Sequence, residues 1–297
     1  MTERKVNLIF DSCCDLPAKL VQTLDVQLVN FTYTLEGHNY VDDLGCSLSH
    51  HDFYERMRAG ATPTTTQVSP GQLEEVFESA YRTGRPTLML TFCAALSGTY
   101  QAACLVQRQL KEKHPDFDLR VIDTYLPSCA EGLLVLEAAR QAARGLPIDE
   151  LCAWAEEARY RVHGYFTVDD LHWLKLGGRI PAAAAYLGAK LDMKPLLSYD
   201  LKGGLTLESL TRGRKKAIKQ VLARYRELHD VAGNPDNTTL VCAADVPEEQ
   251  AALREATAAL AGAGAELINC DIGTVIGSHV GPGMIALVFW GPDRRQA

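Results

Sequence analysis

The sequence lacks long apolar runs, paired cysteine motifs and an excess of positive charge. No stretch of about 18 apolar residues occurs in the 297-residue chain, and the amino terminus has no apolar segment of signal-peptide length. Asp and Glu number 37 against 30 Lys and Arg, a formal net charge of −7. This balance argues against nucleic acid or an anionic membrane as the main partner, because both reward dense positive charge. We therefore expect a cytoplasmic protein.

The cysteines give no sign of a metal or redox centre. All nine are scattered singly except for the pair Cys13 and Cys14, with no Cys-x-x-Cys and no Cys–His pairing at zinc spacing. The default interpretation is reduced structural thiols. We expect no metal and no cofactor.

Length and patterning predict a two-domain α/β protein. Single hydrophobic cores stop growing near ~250–300 residues, and the content of 47% hydrophobic and 23% charged residues is that of a globular protein. In the first half, strand-like runs at 5–10, 26–32, 87–92 and 119–123 alternate with helix-length segments at 70–82, 100–111 and 131–144. Such alternation indicates a mainly parallel sheet flanked by helices.

The second half has a different pattern. Strand-like runs there are joined by hairpins as well as by helices, with one hairpin expected around residues 202–204 and a basic helix over 214–228. This mixture indicates a mixed sheet. We expect an N-terminal domain over residues 1–160 and a C-terminal mixed α/β domain over 161–297.

The most conspicuous segment is the glycine-rich stretch 273–283, which contains one histidine, His279. Its four glycines let the backbone adopt positive φ and approach a ligand closely, and a histidine in such a turn can present its imidazole. The plain alternative is a glycine-rich connection between two strands with an incidental surface histidine. The segment alone does not separate these two interpretations.

Three segments carry hydroxyls at expected turn positions: residues 11–17, 64–69 and 96–100. Hydroxyls and unpaired N–H groups at a helix amino terminus can receive a carboxylate or a phosphate. Ser97, ahead of a predicted helix, is the strongest candidate. Simple N-capping would equally account for Ser97, Ser69 and Asp15.

A serine hydrolase is the catalytic alternative. It would use Ser97 as nucleophile, His279 as base and a carboxylate such as Asp11 to orient the imidazole. The sequence around Ser97 lacks the first glycine of a Gly-x-Ser-x-Gly elbow, and no phosphate-loop motif is present. Two basic stretches, at Arg179 and at Arg212, can grip an anion or can be solvated side chains.

Taken in chain order, seven segments resemble the DegV family of fatty-acid-binding proteins, the acyl carriers of bacterial fatty acid kinase. The matching segments are Asp-Ser-x-x-Asp-Leu-Pro at 11–17, Thr-Thr-Gln-x-Ser at 65–69, Ser-Gly-Thr-Tyr at 97–100, Gly-Gly-Arg at 177–179, Lys-Pro at 194–195, Arg-Gly-Arg at 212–214 and Gly-Ser-His-x-Gly-Pro-Gly at 277–283.

The resemblance implies a two-domain fold that buries one long-chain fatty acid in a tunnel, with the carboxylate near the domain interface. Thr65 and Ser97 would donate hydrogen bonds to the carboxylate beside His279, with Thr66 and Gly98 in the same site. A separate kinase subunit would phosphorylate the bound acid for phospholipid synthesis. Arg179 and Arg212 match exposed arginines that work with this kinase.

The same resemblance makes the chain a carrier and not an enzyme, with transient membrane or acyltransferase contact as a further expectation. Several positions depart from the family pattern. Thr66 and Ser278 are conservative exchanges, and Val68 replaces a frequent proline. Leu176 replaces a frequent lysine, which removes one charge from the expected kinase surface. Two alternatives remain: a serine hydrolase that acts on an acyl ester through Ser97 and His279, and an interaction protein without a ligand.

Overall fold

The computed structural model describes residues 5–169, 171–184, 193–230 and 237–296. Its strands, in chain order, are β1 (Asn7–Asp11), β2 (Gln27–Val29), β3 (Thr32–Leu35), β4 (His38–Val41), β5 (Thr64–Thr66), β6 (Thr87–Thr91), β7 (Leu119–Asp123), β8 (Val162–Thr167), β9 (Met193–Tyr199), β10 (Leu205–Arg212), β11 (Thr238–Ala243), β12 (Glu266–Asp271) and β13 (Ile285–Trp290).

The helices are α1 (Ala18–Val21), α2 (His50–Arg58), α3 (Pro70–Tyr81), α4 (Thr99–Lys113), α5 (Cys129–Ala143), α6 (Ile148–Ala158), α7 (His172–Leu176), α8 (Arg214–Leu228), α9 (Pro247–Ala261) and α10 (Thr274–Val280). Short 3₁₀ turns lie at Ser12–Cys14 and Arg294–Gln296. None of the described helices is long and apolar enough to cross a membrane.

The predicted α/β architecture is confirmed. The first sheet has the order β2-β1-β6-β7, and all of its strand pairs are parallel. The second sheet has the order β10-β9-β8-β13-β11-β12, antiparallel except for β11 and β12. Strands β9 and β10 form the predicted hairpin. The predicted boundary at residue 160 falls between α6 and β8.

A third sheet was not expected, although the sequence around Gly37 indicates a short hairpin or excursion over residues 33–43. Strands β3, β4 and β5 form an antiparallel sheet of three, in which β3 pairs with both neighbours. The run 26–32 was predicted as one strand, but β2 ends at Val29 and β3 joins the small sheet. Likewise, Thr64–Thr66 was expected as a turn and is strand β5. Its β-branched side chains suit a strand.

Helix α5 connects the two larger sheets. It packs against β1 of the first sheet and against β8, β11 and β13 of the second. Twelve of its fifteen residues are buried. A helix that is apolar on nearly every face belongs in an interior, and α5 therefore fixes how the two sheets face each other.

The segment 273–283 is a second correction. It was expected as a glycine-rich turn, yet Thr274–Val280 form helix α10. Positive φ is confined to Gly281 and Gly283 at its end. Gly277 is needed for packing: a Cβ there would lie 2.4 Å from Tyr54 Oη. The glycines therefore allow close approach of helices, and they do not break this helix.

Candidate functional site

A cavity of about 340 Å³ lies between the two larger sheets, beside the start of α5. Most of its wall is apolar, with contributions from both sheets and from α5. At one end the wall is polar, where the lining residues are Thr65, Thr66, Gln67, Ser97, Gly98, Arg179 and His279. Thr66 and Gln67 are exposed to solvent, so this polar end is also the open end.

His279 and Thr65 meet at the polar end although 214 positions separate them. Thr65 Oγ1 lies 2.8 Å from His279 Nε2, which joins β5 to the last turn of α10. The other ring nitrogen, Nδ1, is buried without a hydrogen-bond partner and faces Gly177, where a Cβ would lie 2.1 Å away. The glycine at 177 is therefore what allows the imidazole to sit there.

The imidazole of His279 is neutral at pH 7. Burial, aided by the nearby charge of Arg179, lowers its pKa to about 4. A neutral imidazole carries one N–H. When that proton is on Nε2 it donates to Thr65, and the threonine hydroxyl is then free to donate to a ligand.

Ser97 lies at the start of α4. Its Oγ accepts from the Thr99 backbone N–H at 3.2 Å and lies 3.1 Å from Thr99 Oγ1. The N-cap residue itself is Gly98, which makes no side-chain cap. A Cβ at Gly98 would lie 2.1 Å from Gln67 Oε1. Ser97 therefore combines a local turn contact with a place in the cavity wall.

Only one of the two other residues proposed as N-caps has that role. Ser69 accepts from the Gln72 backbone N–H and caps α3, as predicted. Asp15 is not an N-cap. It is buried, and its Oδ1 accepts from the Gly273 N–H at 2.9 Å while its Oδ2 accepts from Ser128.

Buried carboxyls thus hold α10 in place. Beside the Asp15 contact, Asp42 Oδ1 accepts from the Thr274 hydroxyl at 3.0 Å. Burial raises the pKa of Asp42 to about 6 and that of Asp11 to about 7. The segment 11–17 therefore positions the histidine helix, and its carboxyls do not line the cavity.

The two arginines lie in different surroundings. Arg179 lines the cavity and is half-buried; its Nη1 donates to Gly177 O at 2.6 Å and its Nε to Leu96 O at 3.3 Å. Arg179 is therefore less exposed than the match to the family's exposed arginines implied. Arg212 is exposed, ends β10 and does not line the cavity.

Sequence reasoning missed Gln67 as a cavity residue, and it assigned Arg179 to the phosphate and the kinase surface without placing it in the cavity wall. Gln67 lies in the same motif as Thr65 and Thr66, so its position in the motif was the available signal. For Arg179, the Gly177-Gly178 turn was the signal, because it brings the chain back toward Leu96.

The hydrolase geometry is not assembled in the described residues. Ser97 Oγ bonds to Thr99, and His279 Nε2 pairs with Thr65. Asp11 Oδ1 accepts from the Cys13 N–H at 3.1 Å, and Oδ2 accepts from the Phe92 N–H at 2.8 Å. A nucleophile, base and orienting carboxylate must be linked by hydrogen bonds, and these three are not.

One described cluster has metal-ligand chemistry. His51, Glu55 and Asp245 lie close together on the surface. However, Arg58 donates to both carboxylates, and His51 Nδ1 lies 3.0 Å from Asp245 Oδ1. We interpret the group as an ion-pair network that ties α2 to the segment after β11.

Comparison with known proteins gives a consistent result. The family model described as "Uncharacterised protein, DegV family" matches residues 5–291. A DegV domain-containing protein of Clostridium perfringens is 36% identical over 293 residues, covering 98% of this chain and 99% of the relative.

Solved structures show the same fold. A fatty-acid-binding DegV family protein from Thermus thermophilus superimposes with a TM-score of 0.85 at 30% identity, covering 97% of this chain and all of the other. A stearic-acid-binding protein from Eubacterium ventriosum also has a TM-score of 0.85, at 26% identity, and covers 98% of this chain and all of the other.

Proposed function

Since the chain belongs to the DegV family, we propose that it binds one long-chain fatty acid in the cavity, with the carboxylate at the polar end. The observation that carries this proposal is the shape of the cavity: one polar, open end and an otherwise apolar wall that reaches between the two sheets. The related proteins from Thermus thermophilus and Eubacterium ventriosum are described as fatty-acid-binding and stearic-acid-binding.

The energetics of such a ligand fit this division. Each buried methylene contributes about 0.8 kcal/mol, so an acyl tail in the apolar part supplies most of the affinity. A carboxylate removed from water is costly unless donors meet it. Thr65, Ser97 and the backbone N–H of Gly98 supply donors, while the guanidinium of Arg179 supplies positive charge.

His279 acts in this proposal through Thr65. With its proton on Nε2, the imidazole donates to Thr65 Oγ1 and turns the threonine hydroxyl toward the carboxylate. Thr66, exposed at the mouth, completes the rim.

A paired binding and turnover assay tests this proposal. Hexadecanoic acid should bind with one-to-one stoichiometry, and 1-hexadecanol of equal chain length should bind more weakly because it has no anion for the polar end. A p-nitrophenyl acyl ester should release no product. Product release together with acylation of Ser97 would instead support the hydrolase.

We further propose that the protein presents the bound carboxylate to a separate fatty acid kinase and does not itself catalyse. Arg212 of β10 pairs with Met193 of β9. This pair lies at the end of the six-stranded sheet where α10 leads into β13. The polar residues of the cavity lie at the same end. An exposed arginine there can meet an acidic partner surface or a phosphate.

Arg212→Ala should preserve fatty acid binding and reduce formation of acyl phosphate by a fatty acid kinase supplied with ATP. The substitution removes the charge and should leave the fold intact, because Arg212 is exposed at a strand end. Lys219→Ala removes a charge from α8 and serves as the control. Acyl phosphate formation unchanged in Arg212→Ala would remove this residue from the kinase surface.

A further inference from the structure

The register of the six-stranded sheet shows where the cavity ends. Met284, Ala286 and Val288 alternate along β13 and its entry, and all three line the cavity. Val288 stands opposite Gly164 of β8, which also lines the cavity. The next pair in this direction, Trp290 with Val162, does not.

This last row lies far from the polar end. Met284 lies just beyond α10, after the three residues 281–283. Val288 lies four residues, or about 13 Å of extended strand, further along. A tail whose carboxylate is held near α10 and which follows β13 therefore reaches the row of Val288 and Gly164 last.

Tyr199 of β9 lies across this row. A Cβ on Gly164 would approach Tyr199 Cε1 to 2.8 Å, so the ring occupies the space that the missing side chain leaves. Tyr199 lines the cavity and is only 6% exposed. Its partner across the hairpin, Leu205, extends the same wall.

Two further contacts hold the Tyr199 ring in place. Tyr199 Oη donates to Val162 O at 3.1 Å. The guanidinium of Arg294 lies 4.5 Å from the ring centroid, and its Nη1 donates to Tyr199 O at 3.1 Å. A ring held by a hydrogen bond, a cation–π contact and a backbone neighbour makes a rigid wall.

We propose that Tyr199, seated over Gly164, is the closed end of the cavity and sets the maximum length of the acyl chain that the protein accepts. The inference rests on the proposed function, because it assigns the specificity of that same site. The expected ligands are straight-chain fatty acids up to a sharp limit of chain length. In a longer acid, the terminal methyl group would collide with the Tyr199 ring.

The test is a competition among saturated acids from dodecanoic to docosanoic, offered together in excess and read out by native mass spectrometry. Tyr199→Ala should raise the longest acid retained, because the seven atoms removed make room for about two to four methylene groups if the site does not collapse. Gly164→Ala should lower it, because the added methyl group or the displaced ring takes cavity volume.

Tyr160→Ala is the matched control. Its ring also lies beside an arginine, Arg295, at 4.4 Å, but does not line the cavity. It should keep the wild-type limit, and thermal unfolding should confirm that all variants are folded. If acids bind but the limit is the same in all proteins, the assignment of Tyr199 is overturned. If no acid binds to any of them, the proposed function fails instead.

Discussion

At the scale of single residues, the polar end of the cavity is built from contacts between distant segments. Thr65 and His279 meet across 214 positions, and Arg179 reaches Leu96 across 83. Each side chain alone has an ordinary structural explanation. Their convergence on one apolar cavity is what makes a carboxylate site the best account.

Ser97→Ala should weaken fatty acid binding by about 1–3 kcal/mol if the hydroxyl donates to a buried carboxylate, since a charged acceptor loses a partner. Isothermal titration with hexadecanoic acid measures the change. Ser69→Ala is the matched control, because its hydroxyl caps α3 away from the cavity. That variant should lose about 1 kcal/mol of folding stability and no affinity. Equal affinities for Ser97→Ala and wild type would remove Ser97 from the site.

The sequence motifs identified residues that line the cavity, but they did not predict which contacts those residues make. Thr65, Thr66, Ser97, Gly98 and His279 were selected from sequence, and all five line one cavity. Their role in binding a carboxylate stays a prediction. The half-buried position of Arg179 depends on its contact with Leu96, 83 positions away, and the Gly177-Gly178 turn alone does not specify that contact.

At the scale of elements, helix α10 shows how packing can override local propensity. Gly273, Gly277 and Gly281 favoured a turn, yet Asp15 and Asp42 satisfy polar groups at the start of the helix. Gly277 admits Tyr54, and Gly281 admits Trp173, whose Cδ1 would lie 2.0 Å from a Cβ there. Glycine costs only about 1 kcal/mol in a helix, so these contacts decide the outcome.

Gly277→Ala should destabilise the fold by about 1–3 kcal/mol, because the methyl group overpacks against the buried Tyr54. Tyr54 has little freedom to move, since its hydroxyl donates to Ile272 O at 2.8 Å. Denaturant unfolding measures the loss.

Gly71→Ala is the control for this substitution. Gly71 lies exposed in α3, where an added methyl group would have no atom within 4 Å and where φ is not positive, so alanine there should be neutral or slightly stabilising. Matching stabilities for Gly277→Ala and wild type would contradict the packing account of α10.

At the scale of the whole molecule, the sequence predicted that one sheet is parallel and one is mixed, but it did not predict which strands belong to which sheet. Alternating strands and helices identified the parallel sheet, and hairpins identified the mixed one. The run 26–32 fitted one strand pattern but contributes to two sheets, because β2 pairs with β1 whereas Thr32 begins β3, which pairs with β4. Such a change depends on the packing of the small sheet against α2 and α10, which no local pattern records.

Buried carboxyls also make the stability of the whole molecule depend on pH. Glu131 of α5 is fully buried, and neither of its carboxylate oxygens has a hydrogen-bond partner. Burial, followed by the charges of Asp11 and Asp15, raises the pKa of Glu131 well above its ordinary value near 4.5. Above pH 4.5 the unfolded chain releases this proton while the folded chain keeps it. Stability therefore falls as pH rises through this window.

Glu131→Gln should reduce that dependence, because glutamine does not titrate. The gain in the free energy of unfolding over wild type should be larger at pH 8 than at pH 5. Urea unfolding of both proteins at the two pH values measures this gain. Burial raises the pKa of Asp11 to about 7 and that of Asp42 to about 6, so both carboxyls also lower stability as pH rises in either protein. The difference between the two stability curves is therefore the quantity that reports on Glu131. Parallel stability curves would show that Glu131 does not carry this effect.

The most direct test of the central claim is native mass spectrometry of the freshly purified protein, followed by organic extraction of whatever small molecule accompanies it. The account predicts one fatty acid per chain, of one or two chain lengths, released on denaturation. A protein that is empty and also fails to take up added fatty acid would contradict it.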